Sequence, residues 1–204
     1  MKEKSILFNT EMAQATLDGR KTQTRRVIKP AKTSRDAKYF DPDLNGWPID
    51  QGTGRVLPCP YGKVGDLLWV RETWRIYLRK NKPFIQYRAD GQELAISHDR
   101  YDHLQFNKRR ITWRPSIFMP RWASRLTLRV ADVRVERIQD ITEQDAMAEG
   151  ISPRDVAARG HVGPLPLFKH LWDTINAKRG YSWQSDPWVW AVKFELVTDA
   201  PDNE

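Results

Sequence analysis

Apolar and polar positions alternate most cleanly late in the chain, in PWVWAVKFELV. Trp188, Trp190, Val192, Phe194 and Leu196 fall on one side, and Val189, Ala191, Lys193, Glu195 and Val197 on the other. A period of two points successive side chains to opposite faces of a strand, so this stretch predicts one. SRLTLRVADVRVERI, residues 124–138, predicts a second and longer strand. Leu126, Leu128 and Val130 share one parity while Val133 and Val135 take the other. A bulge or bend near Ala131–Asp132 would keep both sets in the core, as a curved barrel strand requires. KSILF (Lys4–Phe8), TRRVI (Thr24–Ile28) and Leu67–Arg71 read as shorter strands. RIYLRKNKPFIQYRAD reads as a hairpin turning around Asn81–Pro83.

Helical spacing appears between the strands. In NTEMAQATLDG, Asn9 or Thr10 is placed to cap a short helix, Ala13 and Leu17 share a face, and Gly19 is placed to end it. DITEQDAMAEG carries Thr142 and, three residues on, Asp145, a capping box with Asp in the usual Glu position; Gly150 is its stop. SPRDVAARG opens another helix with Ser152 as cap and Pro153 in the first turn. Phe168, Leu171, Trp172 and Ile175 recur at helical spacing on one face of a further helix, which Gly180 ends.

Two stretches lack periodicity. Residues 29–62 are rich in Pro, Gly, Asp and Lys, and residues 91–110 are polar; both read as insertions into a single domain spanning 1–204. ITWRPSIFMPRWASR is broken by proline and reads as a loop with a helical turn. The acidic tail, 198–204, reads as frayed. Several strands with short helices between them suggest a small mixed β-barrel, with a sandwich or an open sheet as alternatives.

Composition narrows the chemistry. Lys and Arg number 34 against 26 for Asp and Glu, a net charge of +8, which favours nucleic acid, nucleotides or an anionic surface. Nine tryptophans exceed what a core of this size needs and leave candidates for stacking on a planar ligand. The one cysteine, Cys59, sits between prolines and reads as structural. No Cys/His cluster has zinc spacing, so neither a metal nor another cofactor is expected. No apolar run is long enough for a signal peptide or a membrane span, which predicts a cytoplasmic protein without a membrane partner.

The densest polar chemistry lies in LDGRKTQTRRVIKP, residues 17–30. If a helix ends at Gly19 and a strand begins near Thr24, Lys21 and Thr24 sit across a tight connection and can point into one cavity. A desolvated lysine amine can serve as a base, and a threonine hydroxyl needs such a base to become a nucleophile. Arg25 and Arg26 take opposite faces of the strand, so at most one should share that cavity. Spacing alone leaves two readings open, a solvated basic turn and a cavity wall.

GRKTQTRR resembles the signature of the ASCH domain, with Gly19, Lys21, Thr24 and Arg26 at the matching positions. GDLLWVRETW resembles the Gly-Asp turn and strand that follow it, and ITEQDAMAEG the family's later helix. With RPSIFMPRWASRLTL and PWVWAVKFE, the chain is similar to ASCH proteins of tailed phages and prophages over most of its length. The resemblance implies an α+β fold, a small mixed barrel of PUA-like type with short flanking helices, the two insertions lying outside the pattern.

It also implies a partner and a chemistry. PUA-like domains are associated with RNA, and one branch of small ASCH proteins consists of amidohydrolases acting on N4-acetylcytidine. Carried over by motif, the catalytic set is Lys21, Thr24 and Glu149, with Gly19 as the turn. Lys21 takes the proton of Thr24, Thr24 attacks the amide carbonyl, and Glu149 orients Lys21 or protonates the leaving amine. Arg26 is expected to hold an anion or the cleft wall. Arg71, Glu72 and Arg114 are expected to line the same cleft, with Glu72 accepting from a cytosine amine and Trp113 and Trp122 stacking on a base. Trp69, Trp172, Trp188 and Trp190 are assigned to the core. Thr22, Gln23 and Lys29 read as bystanders, and Arg20 and Arg25 as long-range charge. The chain is longer than those small enzymes, so the insertions bear on which substrate is taken. A non-catalytic RNA-binding module is the alternative, and a ribonuclease a third.

Overall fold

The computed structural model describes residues 1–29, 40–42, 47–50, 54–97, 99 and 112–197. Its main sheet has five strands in the order β1-β6-β10-β11-β2. These are β1 (Glu3–Leu7), β6 (Leu67–Arg71), β10 (Thr127–Arg137), β11 (Trp188–Leu196) and β2 (Gln23–Val27). β1 and β6 are parallel, and every other pairing is antiparallel.

β1 and β2 are consecutive strands joined through one helix, α1 (Thr10–Leu17), yet they occupy opposite edges of the sheet. A flat sheet of five strands would hold its edges about 19 Å apart. Instead the Nη2 of Arg26 on β2 donates to the Leu7 carbonyl on β1 at 2.7 Å. The sheet is therefore strongly curled. No ladder joins β1 to β2 among the described residues. The fold is mixed α+β, as expected, with a curled five-stranded sheet, two small sheets and a few helices.

The bulge in β10 makes this curl compatible with one core. Pairing with β11 slips between Val130 and Asp132. Leu128 and Val130 before the slip, and Val133 and Val135 after it, then face the same apolar cluster. That cluster also holds Ile6, Leu68, Val70, Trp190, Val192 and Phe194. The convex face carries α2 (Glu143–Ala148), α3 (Pro153–Ala158) and α4 (Pro164–Asn176). Leu167, Phe168 and Trp172 of α4 pack there with Ile138, Ile141 and Val189.

The helix starts follow the chain chemistry. Asn9 Oδ1 accepts from the Met12 amide at 2.7 Å. Thr142 and Asp145 form the expected capping box on α2, and Ser152 with Asp155 forms one on α3.

Two small sheets complete the fold. β7 (Trp74–Arg79), β8 (Lys82–Tyr87) and β9 (Glu93–Ala95) form one, with Lys80 and Asn81 at φ +50° and +61° making the tight turn. β3 (Phe40–Pro42), β4 (Pro48–Asp50) and β5 (Arg55–Val56) form the other. Parts of both expected insertions are thus strands. Trp47, Leu57, Cys59 and Tyr61 pack back onto the main core. Within the two insertions, residues 30–39, 43–46, 51–53, 98 and 100–110 lie outside the described residues, as does the acidic tail.

Candidate functional site

A cavity of about 730 Å³ opens between α1, β2 and α4. Thr24, Arg26 and Glu149 border it, as do Arg71 of β6 and the α4 side chains Phe168, Leu171, Trp172 and Ile175. Its size falls within the range of small-ligand pockets. Part of the lining is apolar and part is charged, with Arg20, Lys29, Arg159 and Arg179 on it beside Glu11 and Asp155, which pair with Arg159 and Arg20. Phe168 and Trp172, the latter expected in the core, are buried in the cluster under α4 as well as bordering the cavity, while Ile175 stays 38% exposed there.

Backbone bonds from two helices fix Lys21. α1 ends at a left-handed Gly19, φ +71°, and the Ala15 carbonyl accepts from both the Arg20 and Lys21 amides at 2.9 Å. The Thr22 amide donates to Ala148 O at 2.8 Å, which ties the segment to the end of α2. Glu149, the residue after that helix, pairs with Lys21 in an isolated antiparallel bridge. Sequence-distant Lys21 and Glu149 are thereby held side by side.

Their side chains meet. Lys21 Nζ donates to Glu149 Oε2 at 2.7 Å and to the Gln23 and Glu149 carbonyls at 2.9 Å each. The lysine is 2% exposed. Burial draws its pKa below the ordinary lysine value; the Glu149 carboxylate pulls it back up, and Arg26 and Arg25 push it down. Thr24, the first inward position of β2 opposite Val192, is buried beside the cavity.

Arg25 does more than supply long-range charge. It is 4% exposed, and its guanidinium is ringed by three carboxylates. Nε donates to Glu136 Oε1 at 2.5 Å and Nη1 to Glu149 Oε1 at 3.3 Å. Nη2 lies 3.2 Å from Asp145 Oδ2, an ion pair without hydrogen-bond alignment. Glu149 therefore divides its carboxylate, one oxygen to Lys21 and one to Arg25. Gln23 is no bystander either: it is 1% exposed and donates to Asp145 Oδ1 at 2.8 Å and to Asp145 O at 2.9 Å. Arg134 closes the cluster onto Glu136 at 2.7 Å. Burial tends to raise the pKa of Asp145, but the Gln23 hydrogen bond and the Arg25 charge bring it from 3.8 down to about 2.

The alternation of β2 explains why only part of this was legible in sequence. It places Gln23 and Arg25 on the face opposite Thr24 and Arg26, but β2 is an edge strand, and Arg25 and Arg26 both border the cavity where at most one is expected from the alternation. Nothing local to β2 announces that Glu136, Asp145 and Glu149 converge on that second face.

The other expected site residues divide. Arg26 and Arg71 border the cavity, and Arg71 Nη2 donates to the Ile117 carbonyl. Glu72 does not line it. It is 1% exposed, with Oε1 and Oε2 accepting from Arg125 at 2.9 and 3.1 Å, so no oxygen is turned toward a base. Trp122 packs edge-on against Trp74, 6.4 Å between centroids, in the core of the small sheet. Arg114 bridges the backbone of Trp74 there, and Trp113 lies on the same sheet's outer side; neither borders the cavity. Trp69, expected in the core, points outward with Arg71 and Arg121 guanidinium carbons 5.4 and 5.9 Å from its ring.

No family model matches the sequence, and no curated protein matches it. Among solved structures, the ASCH domain from Lactobacillus crispatus JV V101 is similar at a TM-score of 0.44 and 12% identity, covering 96% of this chain and 79% of that one. A DUF984 protein from Enterococcus faecalis V583 is similar at a TM-score of 0.38 and 14% identity, covering 97% of this chain and 76% of that one. At these values neither likeness carries weight for what this chain binds or does.

Proposed function

We propose that the cavity binds a nucleoside or an RNA nucleotide and hydrolyses an amide on its base, with an N4-acetylated cytidine as the substrate class. The observation that carries this reading is the buried Lys21–Glu149 contact of 2.7 Å at the edge of a cavity that Thr24 borders. The signature resemblance at Gly19, Lys21, Thr24 and Arg26 supplies the substrate class.

The chemistry follows from proton bookkeeping. Glu149 Oε2 accepts a proton from the Lys21 ammonium, which burial has made easier to lose. The neutral amine takes the proton of the Thr24 hydroxyl as its oxygen attacks the acetyl carbonyl. The tetrahedral intermediate collapses, the carbon–nitrogen bond breaks, and the proton held by Glu149 passes to the departing cytosine amine. Water then hydrolyses the threonine ester, releasing acetate and restoring the hydroxyl. Arg26 and Arg71 supply positive charge for a phosphate or for the developing oxyanion. The apolar wall from Phe168 to Ile175 takes the planar ring.

Incubation with N4-acetylcytidine, with cytidine release followed by chromatography, tests this. Release is expected from the natural chain and from Thr24→Ser. Thr24→Ala and Lys21→Ala are expected to lose a factor of about 10² or more. Release that survives both alanine variants sinks the mechanism.

A second reading has an observation of its own. All three ammonium hydrogens of Lys21 are committed to Glu149 and two carbonyls, which suits a strut as well as a base. A binding cleft without chemistry would show salt-dependent RNA affinity, no cytidine release, and indifference to Thr24→Ala.

A further inference from the structure

The outward face of the β7–β8–β9 sheet carries an arrangement of rings and guanidinium groups that the cavity does not use. Alternation along β7 sends Trp74 and Ile76 into a buried cluster with Ile85 and Tyr87. The same alternation sends Arg75, Tyr77 and Arg79 outward. Across the ladder, Tyr77 stands opposite Phe84 and Arg75 opposite Gln86. The Tyr77 and Phe84 rings stack at 5.9 Å with an interplanar angle of 23°.

Arg75 is held in place. Its Nε donates to Gln86 Oε1 at 2.7 Å, and Gln86 in turn donates to Glu93 Oε1 at 3.1 Å. That fixes the guanidinium carbon 4.5 Å from the Trp113 ring and 5.7 Å from Tyr77. Arg88 lies 5.8 Å from the same indole, and Arg79 lies 4.2 Å from Phe84. Lys80 and Lys82 at the hairpin tip are exposed, and Glu93 is the acid that faces this set, paired with Arg79 at 3.0 Å. None of Arg75, Tyr77, Phe84 or Trp113 borders the cavity.

We propose that this sheet face is a second binding surface, for single-stranded nucleic acid. Half-exposed rings on a rigid sheet offer stacking faces to unpaired bases, and the flanking cations meet the phosphate backbone. The occupant follows from charge complementarity: among the described residues, Arg75, Arg79, Lys80, Lys82 and Arg88 outweigh the one glutamate facing them, and a planar, polyanionic partner satisfies rings and cations together. The inference does not depend on any chemistry in the cavity.

Fluorescence anisotropy of a labelled oligouridylate against the full chain at low salt tests it. Trp113→Ala is expected to weaken binding about tenfold, and Trp113→Phe to restore most of it. The double variant Arg79→Gln with Arg88→Gln is expected to lower the log–log salt slope by about 0.7 for each guanidinium that meets a phosphate. Excess cytidine, a ligand for the cavity, should not displace the oligonucleotide. If Trp113→Ala also lowers thermal stability, the exposed arginine pair decides. No binding by the natural chain, unchanged affinity and slope in the arginine pair, or full displacement by cytidine each overturns the proposal.

Discussion

Lys21 and Arg25 show how little a basic residue reveals about itself until its surroundings are known. Both are buried, and both lean on Glu149. Removing one member of such a set leaves the others charged and unpaired in a dry setting, which costs more than the pair itself contributes. Arg25→Met is therefore expected to destabilise the fold by about 3 kcal/mol or more. Chemical denaturation measures this, and a loss under about 1 kcal/mol would show Arg25 to be peripheral.

Two pH dependences belong to the same residues. The folded pKa of Asp145 lies below its ordinary value, so its contribution is complete above about pH 4 and disappears as pH falls through 2. The gap corresponds to about 2 kcal/mol. Acid unfolding of Asp145→Asn compared with the natural chain should show a difference that closes over that window. The mechanism needs the one proton that Lys21 and Glu149 share, so turnover is expected to fall as pH rises through the lowered Lys21 pKa, below the ordinary value of 10.5. A rate that rises or holds steady through 10.5 would exclude that shared proton as the one given to the leaving amine.

Among elements, the end of α2 is the tightest joint in the site. Gly150 has φ +105°, and a β-carbon there would stand 2.9 Å from Ala15 Cβ and 3.2 Å from Lys21 Cβ. Neither neighbour moves without shifting α1 or the lysine. Gly150→Ala is thus expected to cost about 2 kcal/mol or more and to weaken ligand binding in the cavity. Gly19 has φ +71° but open space around it. Gly19→Ala carries only the left-handed penalty of about 1 kcal/mol. Thermal melts of the two variants side by side check the order.

The elements themselves were largely readable. Period-two alternation placed β10 and β11, and the parity switch at Ala131–Asp132 placed the bulge. Local cap chemistry placed the starts of α1, α2 and α3. These are short-range signals, set by neighbours three or four residues away. Trp69 and Trp122 were misplaced because an apolar run or a polar flank does not say which face of a strand meets the core.

For the whole molecule, curling brings the first and second strands together across opposite edges of one sheet. The contact rests on Arg26 Nη2 and the Leu7 carbonyl. Arg26→Ala should therefore speed hydrogen exchange in β1 and β2 while β10 and β11, in the centre of the sheet, keep their protection. Uniform loss across all five strands would mean that the curl does not depend on that bond.

What the chain determined by itself is local: strand and helix positions, the caps, the Gly19 turn, and the presence of Lys21 and Thr24 just after it. The tertiary structure decided which charges meet. Glu149 lies 128 positions from Lys21 and 124 from Arg25. Only the docking of α2 against the start of β2 turns its carboxylate toward both. Likewise Glu72 became a buried partner of Arg125, and α4 became a cavity wall, because curvature and packing, which are properties of the assembled sheet, set where the solvent-excluded space would lie.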